Sequence, residues 1–427
     1  METKIIYRKP LGNATRKYRQ DNFVISTFRA LTKNTRRGLE LCKDLGFDMV
    51  EFGWVNPKDS YECITACEEV GIDGVIQNWD LFGGFQTTEG DATVKVDALK
   101  KYVEFTKKYK HLVGYYVWDE PYEDDKIQAA GELVDVFEKI DPDRMPFTVA
   151  IPSYNTKWTW KNGLFESYLR KYMDIINPIV LSLDYYPFKH YKPEPATQLD
   201  NNEIFLDLAL MRKLSLEKQV PMWFYFQAQD DPKTYKYYNF TPEKMRSQMY
   251  LALLYGSVGL QNYNVYEGAI TEDAEPGPLY FATKDMNRRC HQLGRTFMAL
   301  TSVGVFHSPE VLAQHSAFDE YRQSIADSEV LADKDLPFRC SVGEFVDAEG
   351  NRYLLINNRD YAKKREFKLK LKKKFRIYEV SQDDGLQSVK TNRAQNLSVT
   401  LQAGDAVLLR FQDAEEKAFL IDYVLEK

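Results

Sequence analysis

Residues 112–121 read Leu-Val-Gly-Tyr-Tyr-Val-Trp-Asp-Glu-Pro, an apolar and aromatic run that ends on two adjacent carboxylates and a proline. A run of that composition predicts a strand buried on both faces. Proline has no N–H to donate, so Pro121 must end the strand or open a helix. Asp119 and Glu120 therefore fall at a C-terminal strand edge, where parallel α/β sheets keep their reacting groups. Paired acids at such an edge suit the cutting of a glycosidic bond: one carboxyl protonates the leaving oxygen, and another supports the charge developing on the sugar. The plain alternative is that one of them caps the acidic helix start that follows.

The ends of the other apolar runs supply companions. They are Glu51 and Trp54, Asn78 and Trp79, Trp118, Ser153 and Tyr154, then Asp184, Tyr185 and Tyr186. Gln227, Gln229, Asn262, Asn264, Tyr266 and Glu267 complete the set. Sugars present hydroxyl groups around a rim and C–H groups on their faces. Amides and acids bind the former and aromatic rings cover the latter, so this collection suits a carbohydrate substrate. All six tryptophans precede residue 224; Trp223 begins its run and is expected in the core. Plain alternatives stand beside several of these. Glu51 lies mid-run and could face a helix, Asp184 could cap a loop, and Gln227 could satisfy backbone groups.

Rival chemistries lack their residues. The five histidines (His111, His190, His291, His307, His315) are scattered rather than spaced as metal ligands. No strand run holds a lysine for a Schiff base, and neither GxGxxG nor GxxxxGKT occurs. No metal or organic cofactor is expected.

Eight apolar runs could position the site, at about 22–29, 48–54, 72–78, 112–118, 147–152, 179–186, 221–228 and 257–265. Helical stretches separate them, at 92–109, 124–140, 199–219 and 242–255, with 282–302 after the eighth. Gly46 and Gly71 each follow a helix end and precede a strand, where a left-handed residue is wanted. Regular alternation over about 300 residues predicts a (β/α)8 barrel at 1–302; a doubly wound open sheet is the competitor. Beyond it, short alternating strands such as Glu366-Phe-Lys-Leu-Lys-Leu371 predict a small antiparallel β-sandwich at 303–427, its lysines on an exposed face.

The 427 residues carry a net charge of −6 with mixed signs, which argues against a nucleic-acid partner. No apolar run approaches the roughly 18 residues that span a membrane, and the first ten residues lack the apolar core of a secretion signal. Five cysteines form no disulfide framework, and Cys63 and Cys67 read as small buried residues facing the sheet.

Trp118-Asp119-Glu120-Pro121 on a fourth strand resembles the Asn-Glu-Pro signature of clan A glycoside hydrolases, and Tyr185-Tyr186-Pro187 after the sixth strand adds to the likeness. The resemblance covers about 300 residues and implies that Glu120 is the acid/base of a retaining glycosidase. Such a donor must hold its proton near neutrality, which apolar neighbours such as Trp118 would promote. Two departures stand out. Asp119 replaces the usual Asn, and Phe226-Gln-Ala-Gln229 occupies the place of the clan's nucleophilic Glu. Three alternatives remain open. Glu267 or Glu51 reaches in as nucleophile, or Asp119 and Glu120 act as in substrate-assisted N-acetylhexosaminidases, with Tyr185 or Tyr186 holding the acetamido oxygen. In the third, the barrel binds carbohydrate without cutting it.

Overall fold

The computed structural model describes residues 19–28, 33–82, 96–154, 163–188, 203–229, 240–266, 268–313 and 316–414. All eight apolar runs are strands: β1 (Val24–Phe28), β2 (Met49–Phe52), β3 (Asp73–Ile76), β4 (Leu112–Asp119), β5 (Met145–Val149), β6 (Leu181–Tyr185), β7 (Met222–Gln227) and β8 (Gly259–Tyr263). They pair in parallel in the order β5-β4-β3-β2-β1-β8-β7-β6. The outer two strands meet through a parallel bridge between Ala150 and Leu183, where Ala150 N donates to Ser182 O at 2.9 Å. The sheet is a nearly closed barrel, not the open doubly wound alternative.

Helices alternate with the strands: α1 (Thr35–Asp44), α2 (Pro57–Val70), α3 (Val96–Thr106), α4 (Asp124–Ile140), α5 (Leu164–Ile175), α6 (Ile204–Lys218), α7 (Pro242–Leu254) and α8 (Tyr280–Phe297). Local chemistry sets their starts. The Asn56 side chain accepts from Lys58 N and Asp59 N ahead of Pro57, and Thr241 accepts from Lys244 N ahead of Pro242. Gly71 ends α2 at φ +70° and Gly46 follows α1 at φ +82°, both in the left-handed region expected.

Every residue of β7 is buried, as a strand enclosed by barrel and helices requires. Trp223 fills the lower barrel because Gly259 on β8 makes room: a Cβ there would lie 2.4 Å from the indole. All five cysteines are buried and free.

The remaining strands form one six-stranded antiparallel sheet. In chain order they are β9 (Thr301–His307), β10 (Cys340–Val346), β11 (Arg352–Asn358), β12 (Arg365–Val380), β13 (Gln387–Leu401) and β14 (Ala406–Asp413), joined in the order β13-β12-β14-β11-β10-β9. Phe367, Leu369 and Leu371 are buried while Lys368 and Lys370 are exposed, as their alternation implies. Phe345, Leu355 and Leu408 join the barrel's apolar core, whereas Val342, Leu354 and Ile356 line a second core within the sheet. Polar clasps reinforce the junction. Arg246 donates to Ala403 O at 2.7 Å, and Tyr250 donates to Gln382 at 2.9 Å.

Candidate active site

The barrel interior is polar at mid-height. Glu51, on β2, points inward and is wholly buried. Its Oε1 accepts from Ser26 Oγ of β1 and from Gln261 Nε2 of β8, each at 2.7 Å, and Oε2 accepts from the Tyr225 hydroxyl of β7. Ser182 of β6 donates to Gln261 Oε1 at 2.6 Å and so turns the amide nitrogen toward Glu51. Burial pushes the Glu51 carboxyl up to about 7, against the pull of these three donors.

Above this layer, β4 brings up the acidic pair. A register shift between Tyr116 and Trp118 breaks the two-residue alternation, so Tyr116 and Asp119 share the inner face. Tyr116 donates to Asp119 Oδ1 and the Trp54 indole donates to Oδ2, both at 2.8 Å. Burial, joined by the nearby Asp184 charge, raises Asp119 to about 6; the two donors oppose that rise. Glu120 follows at φ +49° and Trp54 sits at φ +58°. Left-handed backbone at non-glycine residues costs about 1–3 kcal/mol and gathers at functional sites. The turn is pinned by Glu120 N donating to Val149 O at 3.0 Å and by the Tyr168 hydroxyl donating to Pro121 O at 3.3 Å.

These residues open onto a cavity of about 210 Å³ at the C-terminal mouth of the barrel. Phe28, Trp54, Tyr116, Val149, Tyr154, Tyr186, Tyr225 and Tyr263 wall it, and Asp119, Glu120 and Asp184 project into it. Tyr186 and Tyr263 stack with ring centroids 4.6 Å apart. The phenol of Tyr168 feels the charges of both Glu120 and Asp184, so the β4 and β6 acids share one electrostatic neighbourhood. Neither acid of the pair caps the next helix: α4 has Glu123 at its N-cap, with no side-chain capping bond.

Of the residues singled out from sequence, the cavity gathers Trp54, Asp119, Glu120, Tyr154, Asp184 and Tyr186. Glu51 lies beneath it. Asn78 closes a turn by accepting from Asp80 N at 3.2 Å, and Trp79 donates to Gln77 Oε1 at 2.8 Å. Trp118 is buried in the core and is not among the lining residues. Tyr185 packs edge-on against Tyr154. Gln227 accepts from Phe188 N at 3.1 Å and donates to the backbone O of Gln229 at 3.4 Å, so its side chain serves backbone geometry here, and Gln229 is buried. Asn262 is buried beside Thr27, and Asn264 accepts from Tyr266 N at 2.8 Å. Glu267 lies outside the described residues, as do Trp158, Trp160, His190 and His315. Sequence reasoning missed Phe28, Tyr116, Val149, Tyr225 and Tyr263. The available signal was the tyrosines embedded in apolar runs, which a dry core would not favour. Among the described residues, no group of three or more His, Cys, Asp or Glu side chains is placed to hold a metal ion.

No family model matches the sequence, and no curated protein matches it. Solved structures match its fold. A glycoside hydrolase family 5 protein from Bacteroides vulgatus ATCC 8482 is 13% identical with a TM-score of 0.54, over 96% of this chain and 94% of that one. An Anoxybacillus alpha-amylase is 11% identical at 0.51, over 92% and 99%. A putative alpha-galactosidase/melibiase from Bacteroides fragilis NCTC 9343 is 10% identical at 0.51, over 92% and 79%. At such identities the likeness is one of fold alone, and that fold is the (β/α)8 barrel.

Proposed function

We propose that this chain hydrolyses a glycosidic bond in the mouth cavity by a retaining, two-carboxylate mechanism. The observation that carries the proposal is the convergence of Asp119, Glu120 and Asp184 in one aromatic-walled hollow. Glu120 gives its proton to the glycosidic oxygen as the bond to the anomeric carbon breaks. Asp184, arriving from β6, supplies the electron pair that forms the glycosyl ester. Glu120, now a carboxylate, takes a proton from water, which attacks the anomeric carbon and releases Asp184. Asp119 accepts from two fixed donors, Trp54 and Tyr116, so it serves as an oriented acceptor for a sugar hydroxyl. The rings of Trp54, Tyr186 and Tyr263 offer faces for the sugar's C–H groups. The likeness of fold to glycoside hydrolases supports this reading.

A panel of chromogenic glycosides tests it. Turnover of at least one sugar is expected, with the first-formed product anomer matching the substrate by proton NMR. Glu120→Gln should lower kcat on glycosides with poor leaving groups by about 10²–10⁴-fold while leaving sugar binding intact. Binding without turnover across the panel would make the barrel a carbohydrate receptor. Full activity in the Glu120 variant would remove that residue from proton transfer.

A further inference from the structure

A second cavity, of about 220 Å³, lies outside the barrel mouth, between α6 and the first strand of the C-terminal sheet. Its walls are α6, Tyr255 at the end of α7, β9 and residues 320–323. In volume it matches the mouth cavity, and in charge it is the reverse. Asp119, Glu120 and Asp184 project into the mouth, whereas Arg212, Lys213 and Arg322 line this cavity against one carboxylate, Glu320. His307 adds no charge. Its ring nitrogens are engaged by Tyr255 and Ser341 at 2.7 and 2.6 Å, and burial, with Arg359 and Arg322 nearby, keeps the ring neutral.

Two of the three cations have carboxylates of their own. Lys213 meets Glu166 at 3.3 Å, and Arg322 lies 3.8 Å from Asp319 and donates to Val311 O at 3.1 Å. Arg212 has none among the described residues. Its Nε donates to Ser302 Oγ at 2.7 Å and its Nη2 to Ser302 O at 3.2 Å. These two bonds occupy one edge of the guanidinium and fix its plane, and both acceptors are neutral. The other edge, Nη1–Nη2, finds no acceptor among the described residues. Burial disfavours the Arg212 charge, and the neighbouring Tyr255 phenol, pushed up by its own burial, stays neutral beside it. A cation drawn out of water is costly unless a counter-ion and hydrogen bonds replace the water.

We propose that this cavity binds a small oxyanion, a carboxylate or phosphate group, with Arg212 as its anchor. The unoccupied edge of the guanidinium presents two parallel N–H groups, the fork that carboxylate and phosphate oxygens accept. Lys213 from α6 and Arg322 from the 320–323 segment add charge to the same space. The Lys213 ammonium lies over the Tyr321 ring, 5.3 Å from its centroid, and the Tyr321 hydroxyl donates to Glu166 at 2.5 Å, so that wall is held in place. Glu320 is exposed, and solvent screens its charge. Because α6 belongs to the barrel and β9 to the sheet, a bound anion touches both and stabilises their junction. The inference is independent of what the mouth cavity does.

Thermal unfolding of the full chain in rising inorganic phosphate or acetate, at ionic strength held constant with sodium chloride, tests the proposal. A saturating rise in Tm is expected with phosphate, with acetate or with both, and which of them acts names the oxyanion. Phosphate also stabilises proteins by exclusion from their surfaces, without saturation and without regard to Arg212. Arg212→Met separates the two effects: the apparent Kd should weaken about tenfold to hundredfold, as the loss of a charge-assisted pair implies. Arg322→Gln, at an exposed position, should weaken it as well, which covers the case in which the Arg212 variant does not fold. The imidazole 15N signals of His307, identified by their loss in His307→Gln, should move with the same saturation and so place the ion in this cavity. The proposal is overturned if neither oxyanion gives a saturable rise, if the rise is unchanged in either folded variant, or if the His307 signals stay still. Neither probe carries a sugar ring, so these results stand apart from the glycoside panel.

Discussion

Glu51→Gln should change how the stability of the barrel depends on pH, by an amount the structure sets. In the folded chain the Glu51 carboxyl is held at about 7 by burial, and in the unfolded chain it returns to about 4.5. Between those values the folded state binds the extra proton. The stabilising contribution of the protonated carboxyl is therefore complete below about pH 4.5 and is lost as pH rises through about 7. The interval converts to about 3 kcal/mol at 1.36 kcal/mol for each tenfold change in affinity for the proton. Glutamine carries no such proton, so the wild type should lose about 3 kcal/mol relative to the variant between about pH 4.5 and pH 8. Urea unfolding followed by tryptophan fluorescence measures this, and because all six tryptophans precede residue 224 the signal reports the barrel. Parallel stability curves for the two proteins across that interval would refute the reasoning. They would mean that Glu51 titrates alike in folded and unfolded chains, and that its burial among Ser26, Tyr225 and Gln261 has no electrostatic cost.

Trp54→Phe removes the indole N–H from Asp119 Oδ2 and with it one of two donors that favour the carboxylate, so Asp119 should titrate above its present value of about 6. Carboxyl-13C NMR of protein labelled at Asp, followed against pH, reads it, and an unmoved or lowered curve would show that the indole does not stabilise the anion. Gly259→Ala puts a Cβ 2.4 Å from the Trp223 ring, where no side chain can give way, and should cost about 1–3 kcal/mol. An unchanged urea midpoint would mean that the lower barrel is not packed as described.

The fold was legible because buried parallel strands announce themselves as continuous apolar runs. Each of the eight runs became a strand, and 124–140 became a helix with the same limits. Strand ends were less legible. The run taken as 147–152 is a strand over Met145–Val149, since the pairing with β4, not hydropathy, decides where the ladder stops. The strand β13 went unread because only Leu397, Val399 and Leu401 among its residues are buried apolar side chains. Eight of its first ten residues are polar and the ten are mostly exposed, with no alternation to mark them.

The site was legible only where its chemistry lay at a strand end. Asp119 and Glu120 stand beside a proline that fixes the edge, so residue type and local sequence located them together. The contacts that govern them are of another kind. Glu51 and Tyr225 are 174 residues apart, and Trp54 and Asp119 are 65 apart. Which of them meet depends on barrel register, where Tyr225 pairs with Gln261 and Ser26 pairs with the same glutamine. That glutamine and Ser26 then converge on Glu51 from adjoining strands. Mid-strand Glu51 gave no local sign of direction, because a strand's alternation is hidden when both its faces are buried. Register also explains how β7 takes part without an acid in its run: Tyr225 reaches across the barrel to a carboxylate that β2 contributes. A search confined to the end of β7 finds only glutamine there, whereas the carboxylate that β7 engages through Tyr225 belongs to the strand on the far wall.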